Sequence, residues 1–355
     1  MGIRPNIRAM RAYTPPLEGR SSQAYLLLDF NEMTVPPSPR VKEAIVRFAN
    51  SGRIQAYPEY GMLNEIVASY VGCGASEVLV TNGSDQAIDV VMRAVVDKGN
   101  LVVIPSPSFT MFFQSALAQG AEIIRPEYRG QDLDFPFEEV MELLDHNPAL
   151  VVLCNPNNPT GTPISMNAVK AILEKANARD VAVLHDEAYF EFSGITALNL
   201  LKDFPNLFIT RTLSKQFGLA SLRAGYVVSA AENIAELAKI CGPYDVNMIA
   251  KIAIEAALQD LDHSRRYIRE VMGESKRRVE EFFLGNGVKF FPSAGNFLLV
   301  VPDSADTIVR RLQEEGVLVR PRENPPGTVR VSIGTLQDTE RFIVAWLKVS
   351  ERSAG

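Results

Sequence analysis

Between residues 78 and 228 the chain alternates short unbroken apolar runs with amphipathic helical patterns, and this alternation restricts the fold more than any other feature. The runs lie in EVLVTNG, NLVVIPSP, AEIIRPEY, ALVVLCNP, VAVLHDEAY, NLFITRTLSK and RAGYVVS. Most are separated by stretches such as SDQAIDVVMRAVVD, FTMFFQSALAQG and SMNAVKAILEKANARD, whose apolar residues recur at helical spacing. A strand that is apolar on both sides must be covered on both faces. The pattern therefore predicts an α/β fold with a mostly parallel central sheet between helices. Ligands of such sheets bind outside the carboxyl ends of the strands.

The flanks read differently. Residues 1–37 are rich in Pro, Arg and turn formers around one apolar run, YLLLDF, and predict an arm with a short strand. SPRVKEAIVRFANSG predicts a helix capped by Ser38, with Pro39 in its first turn. After residue 244 one long helical region, NMIAKIAIEAALQDLDHSRRYIREVMGESKRRVEEFFLGNG, leads to shorter strands and helices. The expected division is an arm at 1–37, a large domain at 38–243 and a smaller α+β domain at 244–355, which suits 355 residues.

A net charge of −6 argues against nucleic acid or an anionic membrane as the main partner. No apolar run is long enough to span a bilayer, and MGIRPNIRAMRAYTPP lacks the apolar core of a secretory signal. Cys73, Cys154 and Cys241 lie far apart, without metal-ligand spacing, so a reducing, cytoplasmic setting and no metal site are expected. Cys154 reads as a small core residue, and the KRR run at 276–278 as a solvated helix face. His185 reads as a satisfied core histidine or as a partner of Asp186.

Four polar clusters fall at the carboxyl ends of expected strands. TNGSDQ (81–86) opens a helix with small residues, which suits either a phosphate or a plain N-cap. NPNNPTG (155–161) is a tight loop that can brace itself through Asx bonds or offer an amide to the crevice. HDEAY (185–189) ends a strand on Asp186, with Tyr189 three residues on, and TRTLSK (210–215) ends another on Thr212, Ser214 and Lys215. Together they supply what pyridoxal phosphate requires. These are an amine for a Schiff base, a carboxylate for the pyridine nitrogen, a donor to the phenolic oxygen and a cradle for the phosphate.

NPNNPTG, HDEAY, TLSKQFGLASLRAGY and VRVSIGT stand in the order and spacing of the fold-type I aminotransferases of the aspartate aminotransferase superfamily, which the chain resembles over nearly its whole length. Within it the chain is most similar to the histidinol-phosphate aminotransferase family. The resemblance implies a cytoplasmic pyridoxal 5'-phosphate enzyme acting on a small amino donor and a 2-oxo acid. It implies Lys215 as the Schiff-base lysine and proton shuttle, and Asp186 at the pyridine nitrogen. Asn158 and Tyr189 would bond the phenolic oxygen and Phe109 would stack on the ring. Gly83, Ser84, Asp85, Thr212, Ser214 and Arg223 would hold the phosphate. Tyr57 resembles a tyrosine that reaches the neighbouring subunit's cofactor, which implies a homodimer with shared sites. Arg330 resembles the arginine for a substrate carboxylate, and Tyr13 and Arg320 resemble residues for the phosphate of histidinol phosphate. The chain departs from the family near its start, with NEMTVPPSP at 31–39, and carries Gln86 where an acid is common.

The implied reaction is ping-pong transamination with 2-oxoglutarate as acceptor. An aromatic aminotransferase and a decarboxylase of a phosphorylated amino acid share these motifs. A nicotinamide-dependent dehydrogenase is disfavoured because no GxGxxG follows the early strands.

Overall fold

The computed structural model describes residues 2–21 and 24–351. Its larger sheet has seven strands: β2 (Val78–Asn82), β3 (Leu101–Val103), β4 (Glu122–Ile124), β5 (Leu150–Cys154), β6 (Ala182–Asp186), β7 (Leu207–Thr212) and β8 (Ala224–Val228). They lie in the order β2-β8-β7-β6-β5-β3-β4. The strands from β4 to β7 run parallel, whereas β8 is antiparallel to both β7 and β2. Every side chain of β5, β7 and β8 is buried. This explains why these strands read as continuous apolar runs: both faces are covered. Val151, Leu153, Val183 and Ile209 face one core, and Val152, Leu184, Phe208 and Val227 face the other, with the helices Gly83–Val95 and Thr110–Gln119.

The smaller sheet joins β1 (Leu26–Leu28) to β9 (Lys289–Phe291), β10 (Phe297–Val301), β11 (Val317–Arg322) and β12 (Thr328–Ser332), in the order β1-β11-β12-β10-β9. The short strand of the N-terminal segment is thus part of this sheet, parallel to β11 through Leu26↔Val317 and Leu28↔Val319. Pro321, which cannot donate to a ladder, sits in β11 beyond the reach of β1, where no donor is needed.

Two expectations change. The region expected as one long helix is broken into helices Met248–Leu258 and Leu261–Arg269, a π-helical turn at Glu270–Ser275, and a helix Lys276–Gly285. The break follows Gln259, and Ala250, Ala253 and Ile254 of the first piece pack into the larger sheet's core. Lys276 of the KRR run is buried, not solvated: its ammonium donates to the carbonyls of Ser293 and Gly295. Its neighbours Arg277 and Arg278 are exposed and pair with Glu281 and Glu340. Among the described residues no helix is long and apolar enough to cross a membrane.

Candidate active site

Strand alternation decides which polar groups converge. Leu150 and Val152 put Cys154 on one face of the larger sheet, Leu184 does the same for Asp186, and Phe208 for Thr210 and Thr212. Because β8 is antiparallel to β7 and β2 to β8, Gly225 and the end of β2 lie at the same edge. The Asp186 carboxylate accepts from Thr210 Oγ1 at 2.6 Å and lies 3.7 Å from Cys154 Sγ. Burial pushes this carboxyl up to about 6, against the hydrogen bond from Thr210. Cys154 is buried as a core residue, and it also forms part of the cavity wall.

Lys215 follows β7 and lines the same cavity, of about 550 Å³, as Asp186. Its Nζ donates to Phe30 O at 2.8 Å. Burial, and then the Arg330 guanidinium, bring its amine down to about 8, while Glu32 and Asp85 act the other way. A proton therefore leaves this lysine near neutral pH.

Asn158 and Tyr189 form a single unit. Asn158 Nδ2 donates to Tyr189 Oη at 3.2 Å, Asn31 Nδ2 donates to the same oxygen at 2.9 Å, and Arg330 Nη1 donates to Asn158 Oδ1 at 2.7 Å. Burial raises the Tyr189 hydroxyl to about 12, so it remains a donor at neutral pH. The loop behind Asn158 braces itself: Asn157 bonds Pro107 O, Thr160 Oγ1 and Ser108 Oγ, and Asn155 bonds both polar backbone atoms of Ile164. Asn31 is set by Ser332, which bonds its backbone N–H and its side-chain oxygen, and has φ of 55°.

At the other end of the cavity the helix Gly83–Val95 begins without a capping side chain: Asn82 makes no cap hydrogen bond. Its first turn therefore offers backbone N–H groups and the positive end of the helix dipole. Ser84, Asp85, Thr212, Ser214 and Arg223 line the cavity there. Arg223 Nη2 bonds Asp85 at 2.7 Å, and Thr212 Oγ1 bonds Ser214 Oγ at 2.9 Å. A Cβ on Gly225 would lie 2.4 Å from Ser84 N, so only glycine lets the strand approach this turn so closely. Gly83 has φ of 79°, and a Cβ there would meet Arg223 Nη2 at 2.7 Å. A helix start stripped of its own cap, two hydroxyls and an arginine are the donor set a phosphate monoester takes. With Lys215 and Asp186 on the same cavity, the residues present fit pyridoxal phosphate.

Sharing Tyr13, Phe30, Phe109, Asn158 and Lys215 with this cavity is an inner pocket of about 70 Å³, lined also by Arg320, Arg322 and Arg330. Of the residues expected at the site, Tyr57 and Gly83 line neither pocket: Tyr57 is 75% exposed and stacks on Tyr244 at 4.3 Å between ring centroids. Gly83 contributes backbone at the helix start and does not line the cavity. Sequence reasoning missed Phe30 and Arg322. For Arg322 the signal was present: it stands two residues after Arg320 on one strand, hence on the same face. Phe30 gave none, because a backbone carbonyl that accepts from Lys215 and an apolar ring at the end of an apolar run leave no mark in the sequence.

Behind the sheet His185 is a satisfied core histidine. Its ring bonds Glu187 at 3.0 Å and Asn155 at 3.3 Å, and Glu187 is paired with Arg211 at 2.7 Å. Burial works to raise Glu187, yet Arg211 and His185 together hold it down at about 2.

Comparison with known proteins gives one consistent result. The model of the class I and II aminotransferase family matches residues 23–345. A histidinol-phosphate aminotransferase of Thermoanaerobacter sp. (strain X514) is 33% identical over 347 residues, 96% of each chain. A dihydroxyacetone phosphate transaminase of Campylobacter jejuni is 34% identical over 348 residues, 94% of each chain. The crystal structure of histidinol-phosphate aminotransferase from Sinorhizobium meliloti in complex with pyridoxal-5'-phosphate superposes with a TM-score of 0.89. It is 25% identical and covers 100% of this chain and 98% of that one.

Proposed function

We propose, from the premise that this chain belongs to the class I and II aminotransferase family, that it transfers an amino group between histidinol phosphate and 2-oxoglutarate. It is a pyridoxal phosphate-dependent enzyme of the fold-type I class. The observation that carries the substrate reading is the shared wall of two pockets: the one that holds the uncapped helix start, Lys215 and Asp186 has Tyr13, Asn158, Tyr189 and Lys215 in common with the one walled by Arg320 and Arg330. Bound there, pyridoxal 5'-phosphate supplies an aldehyde that takes up an amino group and a ring that accepts the electron pair left on the neighbouring carbon.

In this reading Ser84, Asp85, Thr212, Ser214 and Arg223, with the backbone at Gly83, hold the phosphate. Asp186 keeps a proton on the pyridine nitrogen, and its dry setting strengthens that pairing. Asn158 and Tyr189 donate to the phenolic oxygen, and Phe109 packs on the ring. Lys215 Nζ, poised near neutral pH, takes the proton from the substrate carbon and delivers it on the cofactor side. Arg330 receives a carboxylate, whose oxygens suit its forked donors. Tyr13 and Arg320 face the substrate phosphate.

The reading divides the chain into an arm at 1–37, a cofactor-binding domain at 38–243 and a smaller domain at 244–355, acting in the cytoplasm, with two exchanges across those bounds: the helix Met248–Leu258 packs on the larger sheet, and β1 of the arm joins the smaller one. It makes the enzyme a homodimer in which Tyr57 enters the partner's site, consistent with its exposure and its stacking on the exposed Tyr244. Relatives at near-equal identity are named for different substrates, and both names specify a phosphate. A donor panel with 2-oxoglutarate decides among them: histidinol phosphate, phenylalanine, tyrosine and phosphothreonine. Histidinol phosphate is expected to give the highest kcat/KM. Turnover of the aromatic amino acids alone would overturn the reading, as would carbon dioxide release from phosphothreonine.

A further inference from the structure

β11 carries Arg320 and Arg322 on one face with Pro321 between them, and Arg320 stands directly opposite Arg330 on β12. All three arginines line the inner pocket with Lys215. Like charges set across a sheet from one another destabilise it. Among the described residues no carboxylate pairs with any of the three. The acids of the adjoining segment, Asp29 and Glu32, are both engaged by Arg20.

The three arginines differ in what satisfies them. Arg330 gives Nη1 to Asn158 and Nη2 to Asp29 O. Arg320 lies 5.1 Å from the centroid of the Phe30 ring. Arg322 has no hydrogen bond or ion pair to any described residue, and its Nε is buried without a partner. A buried donor left unmatched costs stability, so the Nε of Arg322 marks a place for an acceptor that the chain does not itself provide; the Nε of Arg330 is unpartnered too, but its two terminal nitrogens are engaged. A carboxylate offers two oxygens, which one arginine fork fills. A phosphate monoester offers three oxygens and a charge of about −1.5 to −2, enough for two forks.

We propose that Arg322 is a specificity-determining residue, which with Arg320 grips the phosphate monoester of the amino donor and separates phosphorylated from unphosphorylated substrates. This deepens the reading of a phosphate-bearing donor and rests on it. Arg322 acts at the end of the substrate remote from the reacting carbon, so its contribution lies in binding and appears chiefly in KM.

The test compares holoenzymes carrying Arg322, Arg322→Leu and Arg322→Lys with histidinol phosphate and with histidinol as donors. The preference for the phosphorylated donor is expected to fall roughly 10- to 100-fold in the leucine variant and to be partly restored in the lysine variant. A second arm measures phenyl phosphate and benzoate as inhibitors of the wild type and both variants. The inhibition constant of phenyl phosphate should rise by a similar factor and that of benzoate should not. A preference unchanged in both variants, or equal weakening of both inhibitors, overturns the proposal. The inhibitor arm does not depend on the natural donor. If the wild type does not use histidinol phosphate but the phenyl phosphate effect persists, the donor assignment fails and the role of Arg322 stands. Should the leucine variant not fold, Arg322→Gln replaces it in both arms.

Discussion

Lys215 and Asp186 are held in states that suit the roles proposed for them and weaken the ligand-free protein. Burial keeps the Asp186 carboxyl at about 6, whereas an unfolded aspartate titrates near 3.9. Folding thus favours its protonated form; this contribution is full below about pH 4 and is lost as pH rises through about 6. Asp186→Asn removes the loss. In urea unfolding, the apo variant is expected to match the wild type at pH 4 and exceed it by roughly 3 kcal/mol at pH 8. Its affinity for cofactor should fall. If Lys215 forms the proposed Schiff base, its neutral amine is the reacting form, so apo-enzyme should take up cofactor faster as pH rises through about 8 and level off above it. Lys215→Ala should lose turnover together with the visible absorbance of the bound cofactor. These residues were legible because motif and strand end coincide on them. Lys276 was misread because a charge run carries no mark of which member turns inward, and only the carbonyls of Ser293 and Gly295, far along the chain, explain it.

At the scale of elements, the meeting of β8 with the helix Gly83–Val95 is the tightest constraint on the phosphate end. Gly225→Ala would drive a methyl into Ser84 N and Gly83 C, which are backbone atoms without a rotamer to yield. A loss of about 1–3 kcal/mol is expected, read as a lower unfolding midpoint, with weaker cofactor retention in dialysis. The Asp85–Arg223 pair beside it is partly exposed, so Arg223→Met should cost less than about 1 kcal/mol of apo stability while weakening retention. Strand and helix alternation was readable from residues 78 to 228 because the buried strands have no polar face to confuse the period. The antiparallel run of β8 was not readable, since a strand covered on both sides is equally apolar in either direction. The break after Gln259 was hidden for a similar reason: the two pieces share a helical period but pack against different cores, one on the larger sheet and one, through Tyr267, on the smaller.

For the whole molecule, the exposed Tyr57, stacked on the exposed Tyr244, lines a groove of about 490 Å³ between the helices Pro39–Asn50 and Met248–Leu258, a surface that suits the second copy proposed above. Light scattering is expected to give twice the chain mass. Lys215→Ala and Tyr57→Ala should each be impaired alone, and mixing them during refolding should recover activity, because each heterodimer then has one complete site. The smaller sheet enters this picture through three consecutive residues after β1. Asp29 and Phe30 present carbonyls to Arg330 and Lys215, and Asn31 presents its amide to Tyr189. Evolution can therefore exchange the side chains at 29 and 30 without touching two of those bonds. The loss of a single residue from this stretch, by contrast, would misalign all three partners in one stroke, so the stretch can bear a change of spelling more easily than a change of length.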